Sequence, residues 1–511
     1  MPTTPMRLAF RLSGLLVACA LFVAPAHLAA QTPCENGTAD GYECDRVTLL
    51  AHLDFDALTF GYDYSIGRRG NDLWGWTDPE TGTEYALVGH YDGVAFVDLS
   101  DPTAPLLVGV LPTEVPGAFG NRWRDIKTRG SYAFIVSEAT QHGMQVFDLT
   151  RLRNVTSPPA TFDADAIYDG IGGAHNVIAG DDLDVAIIVG SADFTSRSCN
   201  TGGLILVNVR NPLAPALSGC FDADGYTHDA QCLVYDGPDP DYQGRTVCLS
   251  SNTSFLSISD ITTATSPRGI STAAYPDPGY THQGWLTDDK RFFLMNDELD
   301  EARGLAASTR TIVMNVEDLD NPFYVGAYSS GVTSSDHNLY VRDNVIYQAN
   351  YESGLRVFRF DPANPTDFEL LGFFDSFPGT NISFDGAWSV YPFFESGVVL
   401  LNDRESGLFV LRPEDVGVAT EAPLPDATER LSAAYPNPFG DRTTLALTLD
   451  SPERVRAEAY DLLGRSVATL LDGTVDAAML TLDGSALPSG AYVVRVVGET
   501  FTETRRVTLT R

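Results

Sequence analysis

Residues 225–232, GYTHDAQC, hold a Thr-His pair that returns with changed neighbours along most of the 511-residue chain: AHN around His175, THD around His228, THQ around His282 and DHN around His337. These four histidines are 53, 54 and 55 residues apart. The same step reaches Trp123 and Trp74 on one side and Trp388 on the other, each opening a β-rich segment, so seven units in one phase are expected. A period of about 50 residues is the mark of a propeller, because each unit is one small sheet that cannot bury its face without its neighbours.

Each unit repeats one order of signals. The first reads YALVGHYDGVAFVDLSDPTAPLLVGVL from Tyr85, which is strand, turn, strand, Pro-containing turn, strand. Third strands of the same kind begin at Gly143, Gly203, Phe255, Thr311 and Gly354. Adding the strand that opens at each His or Trp gives four per unit. The seventh unit has no outer strand before Pro413, whereas Val47–Phe55, VTLLAHLDF, resembles the outer strands YVGAYSS and ELLGFF. The N-terminal strand is therefore expected to complete the last blade, leaving no free edge where the ring closes.

Composition narrows the function. The hydrophobic share of 44% suits a large core. The formal charge of −35 repels nucleic acid and anionic lipid, so nucleic acid is not expected as a partner. Arg7 and Arg11, the apolar run Leu12–Val23 and the small residues Ala26, Ala29 and Ala30 have the order of a secretory signal, so residues 1–30 are expected to be removed and the mature chain to begin near Gln31. No later stretch is long and apolar enough to be a membrane-spanning helix. Six cysteines remain in an oxidising compartment: Cys34, Cys44, Cys199, Cys220, Cys232 and Cys248. Proximity favours pairing them in that order, although six cysteines allow fifteen pairings. None has zinc-type CxxC spacing.

Several motifs then carry a family resemblance. The GLxVFDLxDPxxP-like third strands resemble LVIVD repeats. WRDIK (123–127), HGMQVFDLT (142–150), AHN, GYTHDAQC, HQGWLT and DHNLY together resemble the choice-of-anchor B family over residues 46–412. That resemblance implies a secreted, surface-held propeller and no particular reaction. Residues 31–45 form a separate disulfide-bearing segment, and the Pro- and Ala-rich residues 413–429 read as a linker. From 430 to 511, short alternating strands with Gly turns suggest a small Ig-like β-sandwich. YPNPF, YDLLGR and LPSGAYVVRV resemble the type A sorting domain of the type IX secretion system. This implies handling by that machinery in a Bacteroidetes-like bacterium, with release or attachment to a cell-surface glycolipid. The fold class is thus all-β: a seven-bladed propeller closed by an N-terminal strand, then a β-sandwich.

No GxSxG, HExxH or GxxxxGK[ST] motif is present. A ring of blades converges its inner strands on one axis, so His175, His228, His282 and His337 are expected at one channel mouth. The second strand of each unit returns to that face. The following loops contribute Glu138, Asp193, Asp297, Glu298, Asp300, Glu301, Glu352, Asp403 and Glu405. Asp297 and Glu298, in the densest loop NDELDE, are the expected partners of the imidazoles. Imidazole with carboxylate suits zinc, manganese or iron, and carboxylate alone suits calcium. Proton competition would then weaken metal binding as pH falls through about 6.5. The structural alternative is that these histidines pack and hydrogen-bond between blades, as Trp74, Trp123 and Trp388 are expected to do. Two functions follow: a surface binding protein for an extracellular glycan, protein or cation, or a metal-dependent hydrolase or lyase.

Overall fold

The computed structural model describes residues 31–59, 70–191, 199, 202–379 and 381–414. In the C-terminal part it describes 431, 439, 442–461, 465–485, 487–498 and 501–509. The expected signal peptide, residues 415–429 of the expected linker and Asp193 lie outside these. The chain divides into two compact units, Met1–Val418 and Ala419–Arg511.

The first unit is built of seven sheets among the described residues, most of them four-stranded, and all antiparallel except where Ala160–Thr161 pairs parallel with Leu106–Pro112. Their first strands are Gly70–Thr77, Arg124–Arg129, Asn176–Ile178, Asp229–Val234, Thr281–Leu286, Asn338–Arg342 and Ala387–Tyr391. Each lies against the next, and the last lies against the first, so the order is cyclic. The second and third strands bury nearly every residue, as in Ala186–Val189 and Leu204–Val207. That is why they read as apolar runs rather than as alternation: both faces of each sheet are covered by neighbouring sheets.

Val47–Leu53 pairs antiparallel with Gly407–Pro413 and supplies the outer strand of the last sheet, as the missing strand in the seventh repeat requires. The segment before it also takes part in pairing. Tyr42–Asp45 adds to the outer edge of the preceding sheet through Cys44 opposite Phe374. Between the two, Arg46 turns the chain at φ 52° and donates from Nη2 to Leu370 O at 2.9 Å. A side chain at Gly372 would meet Asp45 O at 2.6 Å, so the glycine of ELLGFF admits this strand. Cys34–Cys44, Cys199–Cys220 and Cys232–Cys248 are all bonded in the expected order.

The second unit is a single four-stranded antiparallel sheet among the described residues. Two of its strands, Arg442–Asp461 and Ser466–Asp483, run 20 and 18 residues, where the sequence pattern suggests short strands. Register shifts between Thr448 and Glu453 and between Ala457 and Glu458 interrupt the pairing, which explains the broken alternation.

If the N-terminal strand closes the ring, removing residues 46–56 will lower the thermal midpoint of the first unit by about 5 °C or more. The deletion takes away buried Val47, Leu49, Leu50 and Leu53 together with a full strand edge. Calorimetry on this deletion and on a chain ended after Glu414 checks the point; equal small shifts would refute closure.

Candidate functional site

Strand register fixes which side chains share a level of the ring. Leu73, Ile126, Val177, Ala230, Gly284, Leu339 and Val390 pair with equivalent second-strand residues. Two residues before each stand Asn71, Arg124, His175, His228, His282, His337 and Trp388. Trp388 therefore shares the histidine level. Trp123 and Trp74 do not: Trp123 precedes the level by one residue and Trp74 follows it by three, which corrects the phase expected from sequence. Arg124 and Asn71 hold those places instead.

The four imidazoles form a continuous row. Ring centroids are 4.2 Å apart from His175 to His228, 4.2 Å from His228 to His282 and 4.3 Å from His282 to His337, and His337 lies 4.7 Å from Trp388. His228, His282 and His337 are buried. Nδ1 of His228 bonds His282 O at 3.0 Å, and Nδ1 of His337 bonds Trp388 O at 2.6 Å. A carbonyl can only accept, so both Nδ1 atoms carry the proton and both Nε2 atoms keep a lone pair. His175 differs, pairing Nδ1 with Glu138 Oε1 at 2.6 Å.

Glu298 completes the cluster. Its Oε2 is 3.9 Å from His282 Nε2 and its Oε1 is 3.9 Å from His337 Nε2. Tyr351 Oη donates to Oε1 at 2.6 Å. Donor atoms of His282, Glu298 and His337 all lie within 4.8 Å of one another. His282 and His337 line a narrow recess of about 10 Å³ together with Trp123, Arg124, His175 and Trp388.

Asp297 does not join this cluster. Its carboxylate accepts from Tyr275 Oη and Gly279 N, each at 2.7 Å, and from Tyr280 N, so it ties its loop to the segment that precedes the first strand of the same sheet. Glu352, with Asn381 N and Ser383 Oγ, and Asp403, with Ser376 Oγ, likewise tie their loops to a segment that precedes a first strand. The parity of the strands brought the right loops to this face. Asp297 still ends a strand, however, so of the two expected partners Glu298 reaches the imidazoles, as Glu138 reaches His175.

Beneath the mouth lies a second polar level that the sequence pattern did not single out. Lys127 Nζ contacts Asp125 and Asp72, the latter at 3.1 Å, and sits 4.6 Å above the Trp74 ring. Burial pushes Asp72 up to about 7 and Asp229 up to about 6, against the pull of Lys127. Below this, Trp74, Trp285, Tyr340, Tyr391 and Phe393 close on one another. Asp72, Asp125 and Asp229 share a level, each one residue after the mouth position. That spacing was the available signal, but it became visible only with the corrected phase.

Comparison with known proteins adds one family. Residues 433–510 match the secretion system C-terminal sorting domain. This implies type IX handling and export to the cell surface or medium. No curated protein matches the chain. Among solved structures, the extracellular domain of the putative one component system BT4673 from B. thetaiotaomicron aligns at 11% identity and a TM-score of 0.43, over 90% of this chain and 58% of that one. The chain thus spans little more than half of that protein. Periplasmic gluconolactonase PpgL from Pseudomonas aeruginosa aligns at 11% identity and a TM-score of 0.44, over 81% and 99%. The β-propeller domain of Myceliophteria thermophila Cps50 (Swd1) aligns at 11% identity and a TM-score of 0.42, over 68% and 96%. At this distance the likenesses carry no argument about site or activity.

The imidazoles govern a pH response. Burial holds His337 down at about 3, and holds His228 and His282 well below their ordinary value. Proton competition expected near pH 6.5 therefore moves to lower pH at these three. Their unfolded forms take up protons below about 6.5 while the folded forms do not, so stability is full above that pH and falls toward pH 3. His175 has the opposite sign: burial lowers it, but Glu138 outweighs burial and raises it, so its contribution is lost as pH rises through the folded value. His337→Gln should flatten the stability–pH slope between 6.5 and 4 by about 1.4 kcal/mol per pH unit. Urea unfolding of chelator-treated protein measures this, and an unchanged slope would show that His337 is not held neutral.

Proposed function

We propose that this chain is an exported, surface-displayed seven-bladed propeller of the LVIVD-repeat kind that binds a divalent transition metal at the mouth of its ring, and that its C-terminal unit, a small β-sandwich, serves as the export address. The boundaries proposed are 1–30 for the signal, 46–412 for the propeller and 430–511 for the sorting domain, with a glycolipid anchor or release after transit. The observation that carries the metal reading is the juxtaposition of lone pairs. His337 Nε2 and Glu298 Oε1 are both acceptors, 3.9 Å apart and largely withdrawn from water. Two such groups repel unless a cation lies between them. Nδ1 of His337 is already fixed by a backbone carbonyl, the outer hydrogen bond that orients a metal-binding imidazole. The 3.9 Å spacings exceed the edge of a tetrahedral zinc shell, roughly 3.4 Å for ~2.1 Å bonds, by about 0.5 Å.

A metal-dependent hydrolase or lyase draws on one further observation. Burial raises Glu298 above its ordinary value despite the Tyr351 hydrogen bond, which gives a carboxyl poised for proton transfer beside the donors.

Elemental analysis of protein purified without chelator should find about one zinc, manganese or iron per chain. His282→Ala and His337→Ala should lose it while remaining folded. Absence of metal, with substitutions that only destabilise, would reduce the row to inter-blade packing. Export has its own test: a chain ended after Glu414 should accumulate in the periplasm, and normal surface display would refute the sorting role.

A further inference from the structure

The loop that offers Glu298 to the imidazoles continues into a second cluster on the other side of the strand end. Asp300 and Glu301 follow in NDELDE, and Asp336 arrives from the segment just before His337. All three are buried, at 0%, 2% and 1% exposure. One oxygen from each lies within 4.8 Å of the others.

Arg310 is the only cation bonded to them among the described residues. Its Nε donates to Asp300 Oδ2 at 2.7 Å, and its backbone N–H donates to Asp336 Oδ2 at 2.9 Å. Each of those carboxylates is thus served on one side only. Asp300 Oδ1, Asp336 Oδ1 and both oxygens of Glu301 are buried without a donor from any third residue among the described residues, and Glu301 and Asp300 meet only each other, carboxyl to carboxylate. Burial pushes Glu301 up to about 11 and Asp336 well above the ordinary carboxylate range, so the empty pocket holds protons; ionised, as a bound cation would make it, the group carries three negative charges against one guanidinium, a net of two. An uncompensated buried charge of that size costs several kcal/mol per ion. Buried polar groups that lack partners are rare in folded proteins and call for a specific reason.

We infer that Asp300, Glu301 and Asp336 form a calcium site. Three buried carboxylates, each with one oxygen within 4.8 Å of the others, and a charge of minus two once ionised are what a hard divalent cation requires. Their spacing falls inside the span of about 4.8 Å across a calcium shell with ~2.4 Å bonds. Magnesium keeps most of its water and prefers one or two carboxylates, and zinc prefers nitrogen or sulfur donors, so neither suits an all-carboxylate pocket. The site stands apart from the imidazole row, since no histidine and no oxygen of Glu298 contributes. It would tie the NDELDE loop to the segment that delivers His337.

The test uses the full chain, stripped with EGTA and returned to chelator-free buffer at pH 7.5. Titration calorimetry with Ca²⁺ should show one saturable site, and Ca²⁺ should raise the thermal midpoint while equal Mg²⁺ does so far less. Glu301→Gln and Asp336→Asn keep the shape and remove one charge. Each should weaken Ca²⁺ binding by about 100-fold and, in EGTA, melt at or above the temperature of the unsubstituted chain. His282→Ala should keep the Ca²⁺ response. No saturable Ca²⁺ binding by the unsubstituted chain would overturn the site whatever the variants do. A Ca²⁺ response retained in Glu301→Gln and Asp336→Asn would also overturn it, and would assign the effect to the acidic surface.

Discussion

The pairing of Val47–Leu53 with Gly407–Pro413 is the contact on which the rest of the first unit depends. Each sheet is too small to bury its own faces, so every sheet takes part of its stability from two neighbours. An open ring would expose two apolar faces and leave an unpaired strand edge. Closure joins residues about 360 positions apart, and such long-range pairing carries a loop-closure entropy that grows only slowly with length. The chain strengthens the joint locally. Tyr42–Asp45 binds the sixth sheet, Val47–Leu53 binds the seventh, and Cys34–Cys44 holds the first of these segments in a hairpin.

Geometry at the mouth follows from that closure. The imidazole centroids are 4.2–4.3 Å apart because adjacent first strands converge on one axis, and the Nδ1 bonds of His228 and His337 reach from one strand to the carbonyl of the next. The level below works in the same way: Gln283 Oε1 accepts from Leu339 N at 2.9 Å, and Asp125 Oδ2 accepts from Val177 N at 2.8 Å. Side chains near the axis therefore stitch sheet to sheet. His228 and His337 do this with Nδ1 and keep Nε2 for another partner, whereas Gln283 and Asp125 on the level below each spend a side-chain oxygen on the neighbouring backbone.

Much of this was legible in the sequence, and the limits have physical causes. The repeat, the order of strands, the closing strand and the three disulfides follow from apolar runs, Pro turns and cysteine proximity. His175, His228, His282 and His337 share one level because a constant period on equivalent strands leaves them no other place. The tryptophans misled because Trp123 follows the short 3₁₀ turn Phe119–Arg122 and so falls one residue early, while Trp74 belongs to the aromatic layer below. Asp297 misled for a different reason. Spacing identifies a loop, but whether a carboxylate faces the axis or binds the segment before the first strand depends on N–H groups that only the fold aligns, here those of Gly279 and Tyr280.

The six residues NDELDE divide among three tasks, and the division follows from one bend in the chain. Asn296 and Asp297 still belong to the strand Phe292–Asp297, so Asp297 turns back onto the Tyr275–Tyr280 segment. One residue later the backbone has left the sheet. The Glu298 N–H bonds Tyr280 O at 3.1 Å, which directs its side chain toward His282, His337 and Tyr351. Two residues further, Asp300 and Glu301 face Asp336 and Arg310 in the interior. Carboxylates this close repel one another, and a loop carrying four of them is stable only if each is neutralised or separated. Here backbone N–H groups and the Tyr275 hydroxyl serve Asp297, and Tyr351 alone donates to Glu298. Arg310 answers only part of the charge on the remaining pair and Asp336, and that imbalance is the physical ground for a cation in the interior of the loop.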